Sequence, residues 1–265
     1  PPSPSPPPPY HTPGLLVDKI NQRFRDGAPS NDLAAGGILI HQFDGADDSN
    51  PSGTPWSPFS DRISASMVYG KMRPDERKNI PIYSFSTSGI ILSPQYNQML
   101  CGYAYDVGSF SRQCWGAPGC IPGCSVNGGL QWCQPGNDPF PCAWHPDSLI
   151  HLMRSRENWR RYGNKPPDKY WDDHKFYDEL IFDADYFRRH LPKSIEAVFF
   201  IHGDCWDVGD SANNNAACEE YARRAHANIV RHFRLKPGTL PLLKLDLFNW
   251  NEPFTDVHEE AKAAG

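Results

Sequence analysis

Several things are scarce or missing in this chain of 265 residues, and each removes a class of protein. No apolar run approaches the roughly 20 residues that a membrane-crossing helix needs. Positive charge is not in excess: 26 Lys and Arg face 31 Asp and Glu, for a net charge of −5. A nucleic-acid binder would carry a basic footprint, so no nucleic-acid partner is expected. Asn-x-Ser/Thr acceptors are missing, because Asn50-Pro51-Ser52 is disqualified by its proline, so any glycan would be O-linked. The Gly-rich phosphate fingerprints and the H-E-x-x-H zinc helix are also missing, and His258-Glu259-Glu260 stops short of the latter. G-x-S-x-G, the serine-nucleophile turn, does not occur either. No cofactor is expected.

Proline and cysteine are plentiful. There are 27 prolines, about twice the usual share, so one segment must be specialised for proline. Hydrophobic residues make up 39% and aromatic residues 12%, enough to build a core and to set the chain apart from disordered sequences. Six of the eight cysteines (Cys101, Cys114, Cys120, Cys124, Cys133 and Cys142) crowd into one Gly- and Pro-rich stretch. Cys205 and Cys218 form a second, local set. An even count in loop-like sequence points to disulfides and an oxidising compartment. Zinc-binding thiols are the alternative, but zinc knuckles want paired C-x2-4-C spacing and only Cys120-x3-Cys124 approaches it. Six cysteines allow 15 pairings, and spacing does not choose among them. So little regular structure fits between Cys101 and Cys142 that crosslinks would have to hold it, at about 2–4 kcal/mol each.

The specialised proline segment is the beginning of the chain, PPSPSPPPP. Consecutive prolines fix φ and remove backbone donors, leaving polyproline II or coil. The contiguous-Pro and Ser-Pro pattern resembles the hydroxyproline-rich, extensin-like glycoproteins of plant and green-algal cell walls. That resemblance implies hydroxylation or O-glycosylation across Pro2, Ser3, Pro4, Ser5, Pro6, Pro7, Pro8 and Pro9. It covers these residues alone. An SH3 ligand is the rival reading. If ordered, the tail would pack on its own domain, a glycan coat or a neighbouring subunit. Beginning at Pro1 rather than a methionine, the chain is expected to be a mature or trimmed product.

Periodicity predicts the elements. Leu15, Leu16, Ile20 and Phe24 share a helical face over Leu15–Arg25, ended by Gly27 and Pro29. Gly37–Phe43 reads as a buried strand, Ile80–Ser93 as a strand pair or one strand bent at Gly89. After the cysteines, Asp147–Gly163 is a helix with Leu149, Leu152, Met153 and Trp159 near one face. Arg154, Arg156, Arg160 and Arg161 lie on its other faces, a solvated surface or a dock for an acidic polysaccharide. Strands are predicted at Phe176–Phe182, Ile195–Ile201 and Leu240–Phe248, with helices at Asp185–Leu191 and Ala216–Phe233 between them. The last helix would bury Tyr221, Ala225, Ile229 and Phe233. The expected fold is α+β: a single disulfide-crosslinked domain with a mixed sheet. Residues 1–13 are the polyproline II tail, and residues 14–265 the globular part with a Cys-rich insertion at 101–142.

Chemistry-bearing candidates are few. His41, Ser86-Thr87-Ser88 and Glu179 occur in the order of the His, Ser-Thr-Ser and Glu strands of ADP-ribosyltransferases, which the set resembles. That likeness implies His41, Ser86 and Glu179 as a transferase site, although Asp178-Glu179 departs from the Glu/Gln-x-Glu spacing of the arginine-modifying members. The plainer reading of His41 is a satisfied core histidine. Asn249-Trp-Asn-Glu-Pro253 resembles the Asn-Glu-Pro motif of barrel glycosidases, implying Glu252 as acid/base. Only 12 residues follow Pro253, so such a barrel would have to be permuted. The dense run Asp172, Asp173, Asp178, Glu179, Asp183 and Asp185 would supply carboxylate pairs, but neighbours on a strand face opposite ways. Asp204, Asp207 and Asp210 are a candidate calcium loop, and Asp44–Asn50 an acidic turn without the EF-hand glycine and glutamate. Trp115, Trp132 and Trp144 are candidate binding rings for a sugar or a subunit, or else a mini-core over the disulfides. Together these features predict a secreted structural glycoprotein of a matrix, cell wall or surface filament. Its partners would be other copies, another extracellular glycoprotein or glycans. An extracellular enzyme or a carbohydrate-binding module is the alternative.

Overall fold

The computed structural model describes residues 13–42, 62–71, 88–103, 124, 132–133, 143–158, 179–202, 215–246, 249 and 251–257. Residues 1–12 of the expected polyproline tail lie outside them, and Pro13, its last residue, is instead the first of a helix.

Helix α1 (Pro13–Asp26) begins on a proline, whose missing N–H is no loss in a first turn, and ends with Arg23 and Arg25 at the negative end of its dipole. It buries Val17, Ile20, Asn21 and Phe24, a clean i, i+3, i+4, i+7 stripe, while Leu15 is 48% exposed. The apolar face is thus turned from the expected one: Val17, not Leu15, shares it with Ile20 and Phe24. A four-residue helix, α2 (Leu33–Gly36), comes next, capped by the Asp32 carboxylate, which accepts from the Ala34 amide.

Eight strands then form one mixed sheet: β1 (Ile38–Gln42), β2 (Arg62–Val68), β3 (Gly89–Leu92), β4 (Met99–Tyr103), β5 (Glu179–Asp183), β6 (Ile195–His202), β7 (Leu242–Asp246) and β8 (Phe254–Asp256). Their order is β4-β5-β2-β1-β3-β6-β7-β8. Every neighbouring pair is antiparallel except β6 and β7. Parallel neighbours need a crossover, and helix α5 (Asn215–His232) supplies it. Helix α3 (Leu149–Asn158), entered through a 3-10 turn at Pro146–Ser148, and helix α4 (Ala184–Arg189) complete the described elements.

The centre of the sheet is covered on both sides. Residues 38–40, 90–92 and 197–201 are buried in unbroken runs, which strand alternation permits only when both faces are packed. The α+β expectation holds in this form: helices with a mixed eight-stranded sheet, and a disulfide joining Cys101 to Cys124.

Strand β2 changes partners along its length. Ser66–Val68 pair with Ile40–Ile38 of β1, whereas Arg62–Ala65 pair with Asp183–Leu180 of β5. Where the β1 ladder ends, a side chain takes over: the Ser64 carbonyl accepts from Nδ1 of His41 at 2.6 Å. Of the stretch Ile80–Ser93 expected to hold a strand pair or a strand bent at Gly89, residues 80–87 lie outside the described ones. Gly89 opens β3, paired with Gln42 on one side and Phe199 on the other, and a Cβ there would lie 2.3 Å from the His41 carbonyl oxygen.

Both outer strands are engaged by the chain's own groups. Asn21 on α1 donates from Nδ2 to the Phe254 carbonyl (2.8 Å) and accepts the Phe254 amide at Oδ1 (3.1 Å), acting as one further backbone position beside β8. At the other end Gly102 of β4 exchanges two backbone hydrogen bonds with Trp144, of 3.0 and 2.7 Å. One backbone position of each outer strand is thereby paired within the chain, which shortens the stretch open to a foreign strand.

Candidate functional site

His41 and Glu179 sit in the same region of the sheet, two strands apart. Ile40 faces Ser66 and Leu180 faces Ala65, so by alternation along β2 the two candidate side chains project to opposite faces. His41 is half-buried, and its Nδ1–H is donated to the Ser64 carbonyl. Glu179 is 3% exposed and begins β5 opposite the buried Tyr103. Ser86, the third member of that set, lies outside the described residues. Glu252 occupies the turn between β7 and β8, exposed, with its amide on Oδ1 of Asn249 (3.4 Å) and its carboxylate 3.5 Å from Arg25. The Asn-Glu-Pro residues therefore make a connection between antiparallel strands of an open sheet. In a barrel glycosidase the same residues would end a strand ahead of a helix.

The sulfur chemistry is clearer. Cys101 lies within β4, and its disulfide to Cys124 fastens the cysteine-rich stretch to the sheet, at a sequence separation of 23. Cys133 and Cys218 are also disulfide-bonded. Cys114, Cys120, Cys142 and Cys205 lie outside the described residues, as do Trp115 and the Asp204, Asp207 and Asp210 loop. No cluster of three or more potential metal ligands occurs among the described residues. None of their helices is long and apolar enough to cross a membrane.

Trp144 is buried, with its ring stacked on His151 at 5.9 Å and its indole N–H without a hydrogen-bond partner among the described residues. It presents no open ring face and belongs to the hydrophobic core. Trp132 is half-buried, its edge against His145 at 5.1 Å, and the two are strapped together by the pairing of Trp132 with Ala143.

One cluster escapes a reading of the sequence. Tyr186, Arg189, His190 and Lys193 are close in the chain, and their run YFRRHLPK is aromatic and basic enough to have been noticed. Tyr96 completes the cluster from the turn between β3 and β4, and only the tertiary structure brings it there. No protein-family model, curated protein or solved structure matches the chain.

Proposed function

We propose that the protein is a secreted, disulfide-crosslinked structural glycoprotein, a subunit of an extracellular matrix, cell wall or surface filament. In this reading the Pro-rich tail, hydroxylated and O-glycosylated, docks on a neighbouring subunit. The observation that carries it is the state of the cysteines: all four among the described residues, Cys101, Cys124, Cys133 and Cys218, are in disulfides. Such crosslinking belongs to oxidising compartments, and it stabilises a Gly- and Pro-rich stretch that burial alone would leave loose. The edges of the sheet lend support. With one position of each of β4 and β8 paired internally, the edges offer little length for strand addition, and a stiff, pre-extended proline tail is a more direct connector.

The test is made on protein purified from its native source. Intact mass is measured before and after reduction and deglycosylation, and sedimentation is compared with that of a variant lacking residues 1–13. Oxidised cysteines, a mass excess on the tail, and assemblies that dissociate when the tail is removed are the expected results. Eight thiols that alkylate without reductant, or a bare tail and a chain that stays monomeric, would overturn the proposal.

A further inference from the structure

The turn after β3 and the segment after α4 are locked together below the surface. Nδ2 of Asn97 donates to the carbonyls of Ser93 (2.8 Å) and Ser194 (2.9 Å), and the Ser93 amide donates to the Ser194 carbonyl (3.0 Å). Ser194, fully buried, adds a bond from its hydroxyl to the Phe187 carbonyl (2.8 Å). These buried bonds fix two segments far apart in sequence, and above them the segments present a set of rings and cations. His190 stacks on Tyr186 at 4.1 Å and lies 6.1 Å from the Tyr96 ring. Lys193 sits 5.6 Å from the centroid of Tyr96, and the Arg189 guanidinium 6.0 Å from that of Tyr186.

Three features of this cluster point to a ligand. Arg189 and Lys193 are exposed and have no carboxylate partner among the described residues, in a chain whose net charge is negative. By contrast Arg188, beside them, is paired with Asp185 at 2.7 Å. His190 donates Nδ1–H to the Tyr186 carbonyl (2.8 Å), which leaves Nε2 and the two tyrosine hydroxyls as polar groups for a ligand. Finally, the buried scaffold holds the backbone of both segments in place beforehand, which lowers the ordering cost of binding to that of the side chains. Two exposed cations beside aromatic rings and hydroxyls match a sugar that carries acidic groups, since rings suit sugar faces and cations suit carboxylate or sulfate.

We infer that Tyr96, Tyr186, Arg189, His190 and Lys193 form a binding site for an acidic polysaccharide, bearing uronate or sulfate groups. The inference rests on the extracellular reading above and names the partner to which such a subunit would adhere.

The experiment measures binding of the full chain to polygalacturonate, dextran sulfate and neutral dextran by affinity electrophoresis and calorimetry. The variants are R189A/K193A and, as a control for diffuse charge, K19A on α1, another exposed cation. Binding to one or both acidic polymers is expected and none to neutral dextran, weakening as NaCl rises from about 50 to about 200 mM. R189A/K193A should bind about tenfold more weakly at unchanged melting temperature, with K19A close to wild type. Equal loss in K19A, or no loss in the double variant, would overturn the site. So would failure of the folded protein to bind either acidic polymer. Inorganic sulfate or monomeric galacturonate binding as tightly as the polymers would overturn the polysaccharide assignment in favour of a simple anion site. Polyglutamate binding equally well would overturn it in favour of an acidic polypeptide. Tail-dependent assembly is measured separately and survives each of these failures.

Discussion

Two glycines separate kinds of crowding that look alike in the sequence. At Gly89 a Cβ would lie 2.3 Å from a backbone oxygen, that of His41, and 2.8 Å from the ring of Phe199. The carbonyl cannot yield without opening the β1–β3 ladder. At Gly102 the nearest atoms are ends of flexible side chains: Leu152 Cδ1 at 2.4 Å, then Leu180 Cδ2 and Met99 Cε at 2.9 Å. Gly89→Ala should therefore cost about 4 kcal/mol or more, beyond the range of an ordinary substitution. Gly102→Ala should cost about 1–3 kcal/mol, the usual penalty for overpacking that side chains can absorb. Urea unfolding under non-reducing conditions checks the order, and equal losses would contradict it. At this scale the sequence shows only that both positions are glycine within apolar surroundings.

Among the elements, α1 has two roles that its pattern only half reveals. Its apolar stripe joins the core, and Phe24 meets Phe254 edge-on at 6.2 Å. Asn21, inside the same stripe, closes the edge of β8. A polar residue on an apolar face is a local inconsistency whose explanation lies 233 positions away. Asn21→Ala should destabilise by about 2–3 kcal/mol, because it leaves a buried amide and a buried carbonyl unpaired. Hydrogen exchange gives the specific signature: the Phe254 amide should lose protection while Ile40 and Ile91 at the sheet centre keep theirs. Unchanged protection at Phe254 would refute the edge role. Arg23 adds a two-pronged pair with Glu196 of β6, Nη1 to Oε1 at 3.0 Å, so the helix is held to the sheet at two places.

For the whole molecule, the cysteine-rich stretch links the two halves of the chain. Strands from both sides of it, β1 to β3 before and β5 to β8 after, join in one sheet, and β4 carries the anchoring Cys101. Replacing Cys101 and Cys124 together by alanine should lower stability by about 3 kcal/mol, from the chain entropy of the loop they close. The loss should appear first as exchange in β4 and β5, and an unchanged unfolding midpoint would show that the link is dispensable.

Much of the architecture could be read locally. The stretches around 38–43, 195–201 and 240–248 declared themselves as strands by β-branched and aromatic runs, and 216–233 as a helix by its spacing. The α5 face is nearly the expected one, with Ala225 and Ile229 buried and Tyr221 and Phe233 at its margin. Three strands were not legible. β2 carries Ser64 and Ser66 among small residues, β4 is built of Met, Leu, Cys, Gly and Tyr, and β8 has three residues. None has a pattern strong enough to stand without its neighbours, because strand propensity is mostly packing against the strands and helices alongside. The candidate sites divide in the same way. His41 and Glu179 were legible as single candidates, whereas their separation across the sheet comes from the register.

By itself, then, the sequence determined which segments are periodic, where proline forbids regular pairing, and that its cysteines are suited to crosslinks. These are properties of neighbours in the chain. Only the tertiary structure decided the order of the strands, which helix residue seals an edge, which cysteine holds Cys101, and that Tyr96 meets His190 and Lys193. Each of those depends on contacts between segments tens to hundreds of residues apart, where local pattern carries no information about the partner.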